Sequence, residues 1–415
     1  MKTLTASFFT TISWAQAWLA LSFLLPWRLF KIRHGQGAKN LEKYFIENFK
    51  IKYARSFYNA RGALYHGLRA LKIGEGDEVI VQAYTCVSVA NAVLACGAKI
   101  VYGDINLSDL NFDLEKLEKL ISPRAKVIIV QHTFGQPIDL SKILHLCAKY
   151  NLKLVEDCAH SLGAKYQNQL VGTFGEFSVF SFGRDKVISA VNGGMLCTNN
   201  QDLFNNLPTK LADLPLIKVW QNIFYPVIAL KSYCLYDFLS LGKIIITLAK
   251  KFNFIPKITS ANENNCRDLS ILNYALPNCL AVLALAELKK LTVVNFHRQK
   301  IAYYYAHNLN TEKIKIIYPL EALSENIYLR FTILVEDKKS LVGFLKQHGV
   351  IAGNWYDQTI APQKANLSSA GYILGNCPVA EQAARQTLNL PNHRGISLDD
   401  AQKITALINI WQKLN

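Results

Sequence analysis

Glu156-Asp157-Cys158-Ala159-His160-Ser161-Leu162-Gly163-Ala164, followed by Ser181-Phe182-Gly183-Arg184-Asp185-Lys186 and then Asn192-Gly193-Gly194-Met195, decides the fold. The first two blocks stand at the ends of short apolar or β-branched runs, 153–156 and 178–182, that read as strands. Runs of the same kind lie upstream at 78–82, 99–104 and 126–131, separated by roughly helix-length segments. Between them, 113–121 and 140–150 carry their apolar residues at helical spacing. Such alternation predicts an α/β architecture, a mainly parallel sheet covered on both faces by helices. Ligands of these sheets collect beyond the carboxyl ends of the strands, where Asp157 and Lys186 stand.

The composition supports a large folded core. The chain has 415 residues, of which 51% are hydrophobic, so disorder is excluded as the main reading. Lys and Arg total 46 against 30 acidic residues, a net charge of +16, yet only 18% of residues are charged. The excess therefore comes from scarce acids, not from dense basic blocks. It suits an anionic ligand or a membrane surface, and no long Lys/Arg run points to nucleic acid. Nine cysteines, an odd number without CxxC spacing, read as reduced, cytoplasmic and not metal-binding.

Downstream, 276–308 reads as one or two long amphipathic helices, 328–335 as a strand, 338–348 as a helix stopped by Gly349, and 398–414 as a closing helix. These define a smaller C-terminal α+β domain. The expected organisation is a hydrophobic N-terminal helical segment (1–34), a large α/β domain (35–210), a hydrophobic, lysine-punctuated insertion (211–262) and the small domain (263–415).

Two of these segments bear on a membrane. Thr3 to Trp27 holds no charged residue, but its polar residues dilute it and Pro26 interrupts it before Arg28, Lys31 and Arg33. A helix packed on the fold or lying in an interface is favoured over a span, and no small-residue cleavage site follows to suggest a secretory signal. In the insertion, Lys218, Lys231, Lys243, Lys250 and Lys251 interrupt aromatic and aliphatic runs, the longest uncharged one being 219–230. That is too short to cross a bilayer as a helix. It suits a helical hairpin on anionic lipid, and equally an apolar face buried in a dimer.

A carboxylate and a lysine at neighbouring strand ends form, taken alone, only a salt bridge. Their company changes the reading. Asn59-Ala60-Arg61-Gly62-Ala63-Leu64 opens a helix whose amides and Arg61 suit a phosphate, with Gly62 allowing close backbone approach. A lysine able to form a Schiff base, an aspartate able to pair with a pyridinium nitrogen and a phosphate site together match what pyridoxal phosphate requires.

From about Gly35 to the C-terminus, with the insertion as a break, the chain resembles the DegT/DnrJ/StrS-type sugar aminotransferases of PLP fold type I. The resemblance rests on ordered blocks: Gly74-Glu75-Gly76-Asp77-Glu78-Val79, His132-Thr133-Phe134-Gly135-Gln136-Pro137, 156–164, Val171-Gly172-Thr173-Phe174-Gly175, Ser181-Phe182 with Lys186, Gly193-Gly194, and Leu388-Asn389-Leu390-Pro391-Asn392-His393. It implies Lys186 as the Schiff-base lysine and proton carrier, and Asp157 as the partner of the pyridine nitrogen. It further implies His160 near the cofactor's phenolic oxygen, and Ser181, Arg61 and Gly62 at the phosphate. Cys86 falls where many members have the aromatic that stacks on the ring, Ala60-Arg61 where many have Gly-Thr or Gly-Ser, and Asn192 where an acid often stands. The implied activity is transfer of an amino group from an amino acid, glutamate first, to a keto-sugar, usually nucleotide-linked. A homodimer with sites at the subunit interface is implied as well. The related dehydratases carry histidine at the Schiff-base position, and Lys186 argues against that branch. Another alternative is a membrane-associated, non-catalytic binding or regulatory protein on the same scaffold. A third is an enzyme at the inner face of the cytoplasmic membrane.

Overall fold

The computed structural model describes residues 3–6, 12–267, 270–317 and 325–414. Its centre is a seven-stranded sheet built from β2 (Tyr53–Phe57), β3 (Glu78–Gln82), β4 (Lys99–Gly103), β5 (Ala125–Gln131), β6 (Lys153–Asp157), β7 (Phe177–Ser181) and β8 (Gly194–Thr198), where β1 is a short N-terminal strand, Leu4–Thr5. The spatial order is β2-β8-β7-β6-β5-β3-β4. Within it β4, β3, β5, β6 and β7 pair in parallel, and only β8 runs antiparallel to its neighbours. The expected α/β architecture is the observed one. Val79, Ile80 and Val81 are at most 2% exposed and Val127 to Val130 at most 1%, which explains why these runs are continuously apolar and not alternating.

The five central-sheet strands expected from the sequence fall within one residue of the observed ends, whereas the strand expected at 328–335 starts at Phe331. Two strands escaped. β8 reads Gly-Met-Leu-Cys-Thr, with no β-branched residue before its last position, and β2 is an edge strand carrying Arg55. The helix expected at 113–121 is a short turn, Leu114–Leu117, running into a 3-10 turn, Glu118–Leu120.

Helices α2 (Gly37–Phe49), α3 (Ala60–Ala70) and α4 (Leu140–Tyr150) flank the sheet, α1 being Trp14–Leu21. In the hydrophobic 1–34 segment the expected helix is α1, and shorter pieces flank it. β1 pairs in parallel with Val350–Ile351, α1 is capped by the Ser13 side chain, and Pro26 starts a separate short turn, Pro26–Leu29. The insertion forms two helices, α5 (Leu216–Cys234) and α6 (Leu241–Lys251), and α5 packs against both α1 and α6. Among the described residues no helix is long and apolar enough to cross a membrane.

Further along, α7 (Asn278–Leu288) packs on α2, and α8 (Leu291–Asn308) leads to a three-stranded antiparallel sheet. That sheet holds β9 (Ile314–Ile316), β10 (Phe331–Val335) and, after β11 (Val350–Ile351), β12 (Thr387–Leu390). The chain closes with α9, Leu398–Leu414, as expected.

Candidate active site

The carboxyl ends of β6 and β7, the N-terminus of α3 and residues 330 and 355–356 surround one cavity. Asp157, the last residue of β6, is buried and accepts a hydrogen bond from the Ala159 amide at 3.0 Å. Glu156 before it points to the other side of the sheet and is fully buried. It accepts amides from Gly172, Phe174 and Gly175 at 2.7, 2.7 and 2.9 Å, so it fastens the 171–175 block beneath the site. His132 lies 3.3 Å from the same carboxylate, and with Cys158 these three place donor atoms within 4.8 Å of one another. Three backbone amides already claim the Glu156 oxygens, which makes the group a structural clamp.

Lys186 sits on the loop that returns β7 to β8. Its amide donates to the Gly183 carbonyl, and the loop closes through Phe182 N–H to Gly193 and Ala190 N–H to Phe182. Gly194 is required here for packing, since a Cβ would lie 2.4 Å from the Ala60 nitrogen and hold β8 away from the start of α3. Burial lowers the Lys186 pKa from its ordinary value, with nearby Arg330 acting in the same direction and Asp157 against it. Burial raises that of Asp157, opposed by the Ala159 amide and the Lys186 charge. Both groups line the cavity, with Ser181 between them in sequence at the end of β7.

The phosphate end differs from expectation in its details. Asn59 caps α3 by accepting the Gly62 amide at 2.8 Å, so that amide is committed. Gly62 also faces away from the cavity: a Cβ there would lie 2.6 Å from the Leu272 carbonyl oxygen. Its glycine serves helix packing, and it does not line the cavity wall. Arg61 does line the cavity, but it forms an ion pair with buried Glu263 and donates to the Ile258 carbonyl at 2.9 Å. The remaining first-turn amides, those of Ala60 and Arg61, stand at the positive end of the helix beside Ser181 and Ser88 on the same wall.

His160 lies in an aromatic group with Phe134, 5.5 Å away and nearly parallel, and Tyr356, 5.9 Å away. Its Nδ1 accepts the Phe134 amide at 3.4 Å, so in the neutral ring Nε2 carries the hydrogen and donates to the Tyr356 hydroxyl at 3.3 Å. Burial and the charges of Lys186 and Arg330 keep this ring neutral, its pKa well below the usual value. Both ring nitrogens are thus engaged within the protein, and the polar atom that remains to donate at that edge is the Tyr356 hydroxyl. Cys86 lines the cavity and its thiol donates to Ser88 Oγ at 3.3 Å. This chain therefore places a thiol, not a ring, at that position.

The structure thus gathers Lys186, Asp157, His160, Arg61, Ser181 and Cys86 around one cavity and leaves Gly62 behind its wall. Sequence reasoning gave no role to Arg330, just before β10, whose guanidinium lies 5.5 Å over the Trp355 ring. Trp355 and Tyr356, whose aromatic side chains core packing would explain as readily as a site, also reach the cavity. They are held there by Tyr84, which donates to the Trp355 carbonyl and accepts the Tyr356 amide. His393 faces elsewhere, donating to the Thr5 carbonyl at 2.8 Å.

A buried carboxylate and a partly desolvated amine on one wall, with a helix N-terminus and a serine on another, fit pyridoxal phosphate: the acid for a protonated ring nitrogen, the amine for an aldehyde, the amides for phosphate. Fold and site together define a PLP fold-type-I enzyme. The DegT/DnrJ/EryC1/StrS aminotransferase family model matches residues 29–209 and 248–409, and the chain belongs to that family. It is a sugar aminotransferase whose cofactor is pyridoxal phosphate. The match leaves out 210–247, which contains all of α5.

Among its relatives, GDP-perosamine synthase of Caulobacter vibrioides is 26% identical over 382 residues, covering 90% of each chain. UDP-N-acetyl-3-dehydro-alpha-D-glucosamine 3-aminotransferase of Acidithiobacillus ferrooxidans is 28% identical over 347 residues, 83% of this chain and 80% of that one. The Helicobacter pylori aminotransferase PseC, involved in pseudoaminic acid biosynthesis, superposes with a TM-score of 0.73 at 22% identity, covering 99% and 100%. NtdA from Bacillus subtilis, solved with bound PMP, gives 0.73 at 22% identity over 97% and 83%.

Proposed function

We propose that this cavity moves an amino group from glutamate to a keto-sugar carried on a nucleoside diphosphate. The observation that carries the reading is the pairing on one cavity of Asp157, at the end of β6, and Lys186, on the loop after the adjacent parallel strand β7, the two electrostatically coupled. The relatives named for GDP- and UDP-linked sugars support the substrate class, and the net charge of +16 suits a diphosphate.

Pyridoxal phosphate supplies an electron sink that stabilises negative charge at the carbon from which a proton leaves. The chain supplies the rest. Desolvation keeps a larger share of Lys186 Nζ as the neutral amine, the form that attacks a carbonyl and accepts a proton. In this reading Nζ takes the proton released from the donor's α-carbon and returns one to the sugar carbon being aminated. Asp157 holds a ring N–H, and a cation beside it offsets the burial that otherwise favours its neutral form. The Ala60 and Arg61 amides with Ser181 hold the phosphate. Tyr356 donates at the ring edge, fixed in place by His160. Arg330 meets the carboxylate of the amino-acid donor.

The chain acts as a homodimer in this reading, with the partner completing the cavity wall. Lys186 sets it apart from dehydratases, and its coupling to Asp157 from a non-catalytic scaffold. The test is glutamate-dependent amination of a panel of nucleotide-linked keto-sugars, followed by 2-oxoglutarate release. Turnover of at least one sugar, abolished in Lys186→Ala, is expected. A purified protein that is colourless and inert toward every amino acid overturns the reading.

A further inference from the structure

The core strands hide their apolar residues, and the insertion does not. α6 has two apolar faces. Gly242, Ile246 and Ala249 are buried. Leu241, Ile244 and Leu248, at helical spacing along another face, are 37%, 50% and 48% exposed, and Phe252 just past the helix end is 64% exposed. On the other partner of α5, Trp14 and Trp18 of α1 are neighbours at i,i+4, 50% and 68% exposed, with Trp27 and Phe30 following at 68% and 90%. The whole assembly is nearly free of acid. Residues 214–262 carry Lys218, Lys231, Lys243, Lys250, Lys251 and Lys257 against Asp237 alone. Asp237 is itself taken by the amide and hydroxyl of Thr3 at 2.7 and 2.5 Å.

We infer that α6, with the tryptophans of the N-terminal segment, docks this enzyme on an anionic lipid surface. Exposed aliphatic and aromatic side chains beside lysines suit the headgroup boundary, where rings sit at the interface and ammonium groups meet phosphates. A second copy of the chain is the poorer occupant, because two such lysine-bearing faces repel each other while an anionic surface attracts both features. With no described helix able to span a bilayer, the attachment is peripheral.

The position of this surface matters for the site. Ile258, a few residues past α6 and 48% exposed, lines the cavity, and its carbonyl accepts from Arg61. α5 reaches the other side of the Lys186 loop, where Asn222 accepts from Asn192 at 2.6 Å and Tyr225 underlies Arg184 at 4.8 Å. Gln16, in α1, donates to the carbonyl of Ser189 in the same loop. The lipid-facing module is therefore built onto the cavity wall, and docking brings the substrate entrance to the bilayer surface. This last step rests on the cavity being the substrate site.

The test is co-sedimentation of the full-length holoenzyme with vesicles of phosphatidylcholine, alone or mixed with phosphatidylglycerol. Binding to the mixed vesicles with a blue shift of tryptophan emission is expected, at least about tenfold weaker on phosphatidylcholine alone or at high salt. The exposed-face double variant Ile244→Glu/Leu248→Glu should lose vesicle binding by about tenfold or more. It should keep glutamate-dependent amination of a soluble keto-sugar, which reports the site independently of docking. Holoenzyme that stays in the supernatant with anionic vesicles overturns the inference. So does a double variant that keeps vesicle binding while its mass falls to that of a smaller oligomer, since the face would then cover a second copy.

Discussion

The central sheet and the α5–α6 hairpin draw on the same aliphatic residues and use them in opposite ways. Val79 to Val81 and Val127 to Val130 are all but sealed from solvent, and the polar residues of those strands stand at their ends, Glu78 and Lys126 at the amino ends and Gln82 and Gln131 at the carboxyl ends. In the hairpin, Leu241, Ile244 and Leu248 face outward while the polar groups Asn222 and Ser232 are buried. In the sheet, burial on both faces leaves the strand ends as the one place where charge is tolerated, and chemistry collects there. In the hairpin, apolar exposure is itself the feature that needs a partner.

The sharpest way to break that contrast is to remove the chemistry from the strand ends without touching the hairpin. Lys186→Ala should lower kcat by on the order of 10⁴-fold or more and abolish borohydride-fixable cofactor, while vesicle binding is unchanged. Asp157→Asn should cost about 10²- to 10⁴-fold in kcat with the amide geometry preserved, and weaken retention of the cofactor on gel filtration. Asn cannot carry the negative charge that keeps a ring nitrogen protonated. Equal loss of vesicle binding in either variant would show that the two regions are not separable.

The two regions also differed in how far the sequence disclosed them. Asp157, Ser181 and Lys186 were legible because local rules suffice: a β-branched run ends, and the next residues fall at the sheet's edge. The wall formed by Arg330, Trp355 and Tyr356 was not, since Trp355 and Tyr356 come to the cavity through contacts with Tyr84 across more than 270 positions, and Arg330 lies over Trp355. Gly62 was misjudged for a related reason. Its place in the first turn of a helix was read correctly, but the Leu272 carbonyl that demands a glycine there comes from a distant segment. Tyr356 left one usable signal, an aromatic run beside an acid, which core packing explains equally well. In the 1–34 segment the break at Pro26 is legible from the sequence, whereas the pairing of Leu4 with Val350, a partner more than 340 residues away, is not.

Within α6 the contrast can be tested on a single helix. Ile246→Ala, on the buried face, should destabilise the protein by about 2–4 kcal/mol in denaturant titration, the usual cost of a large-to-small change in a packed site. A smaller, pH-dependent effect belongs to the strap that ties the N-terminal segment to the hairpin and to the loop after β12, Thr3 on Asp237 and Thr5 on His393. Burial pushes the His393 pKa down to about 3. Between that value and the ordinary one near 6.5 the unfolded chain binds the proton and the folded chain does not, so stability falls as pH drops through this window. At pH 5 the contribution is about 2 kcal/mol, and His393→Gln should remove about that much of the loss of unfolding free energy between pH 7 and pH 5 in denaturant titrations.

The smallest expected effect is the most informative about the exposed face. Leu248→Glu removes an apolar side chain that is 48% exposed and adds an acid to a helix already bearing Lys243, Lys250 and Lys251. A surface substitution of this kind should change stability in water by no more than about 0.5 kcal/mol. If Leu248 were covered by a second copy of the chain, the same change would bury a charge in an apolar interface. Stability would then become strongly dependent on protein concentration. Thermal melts across a range of protein concentrations therefore distinguish a face open to lipid from one already closed by protein.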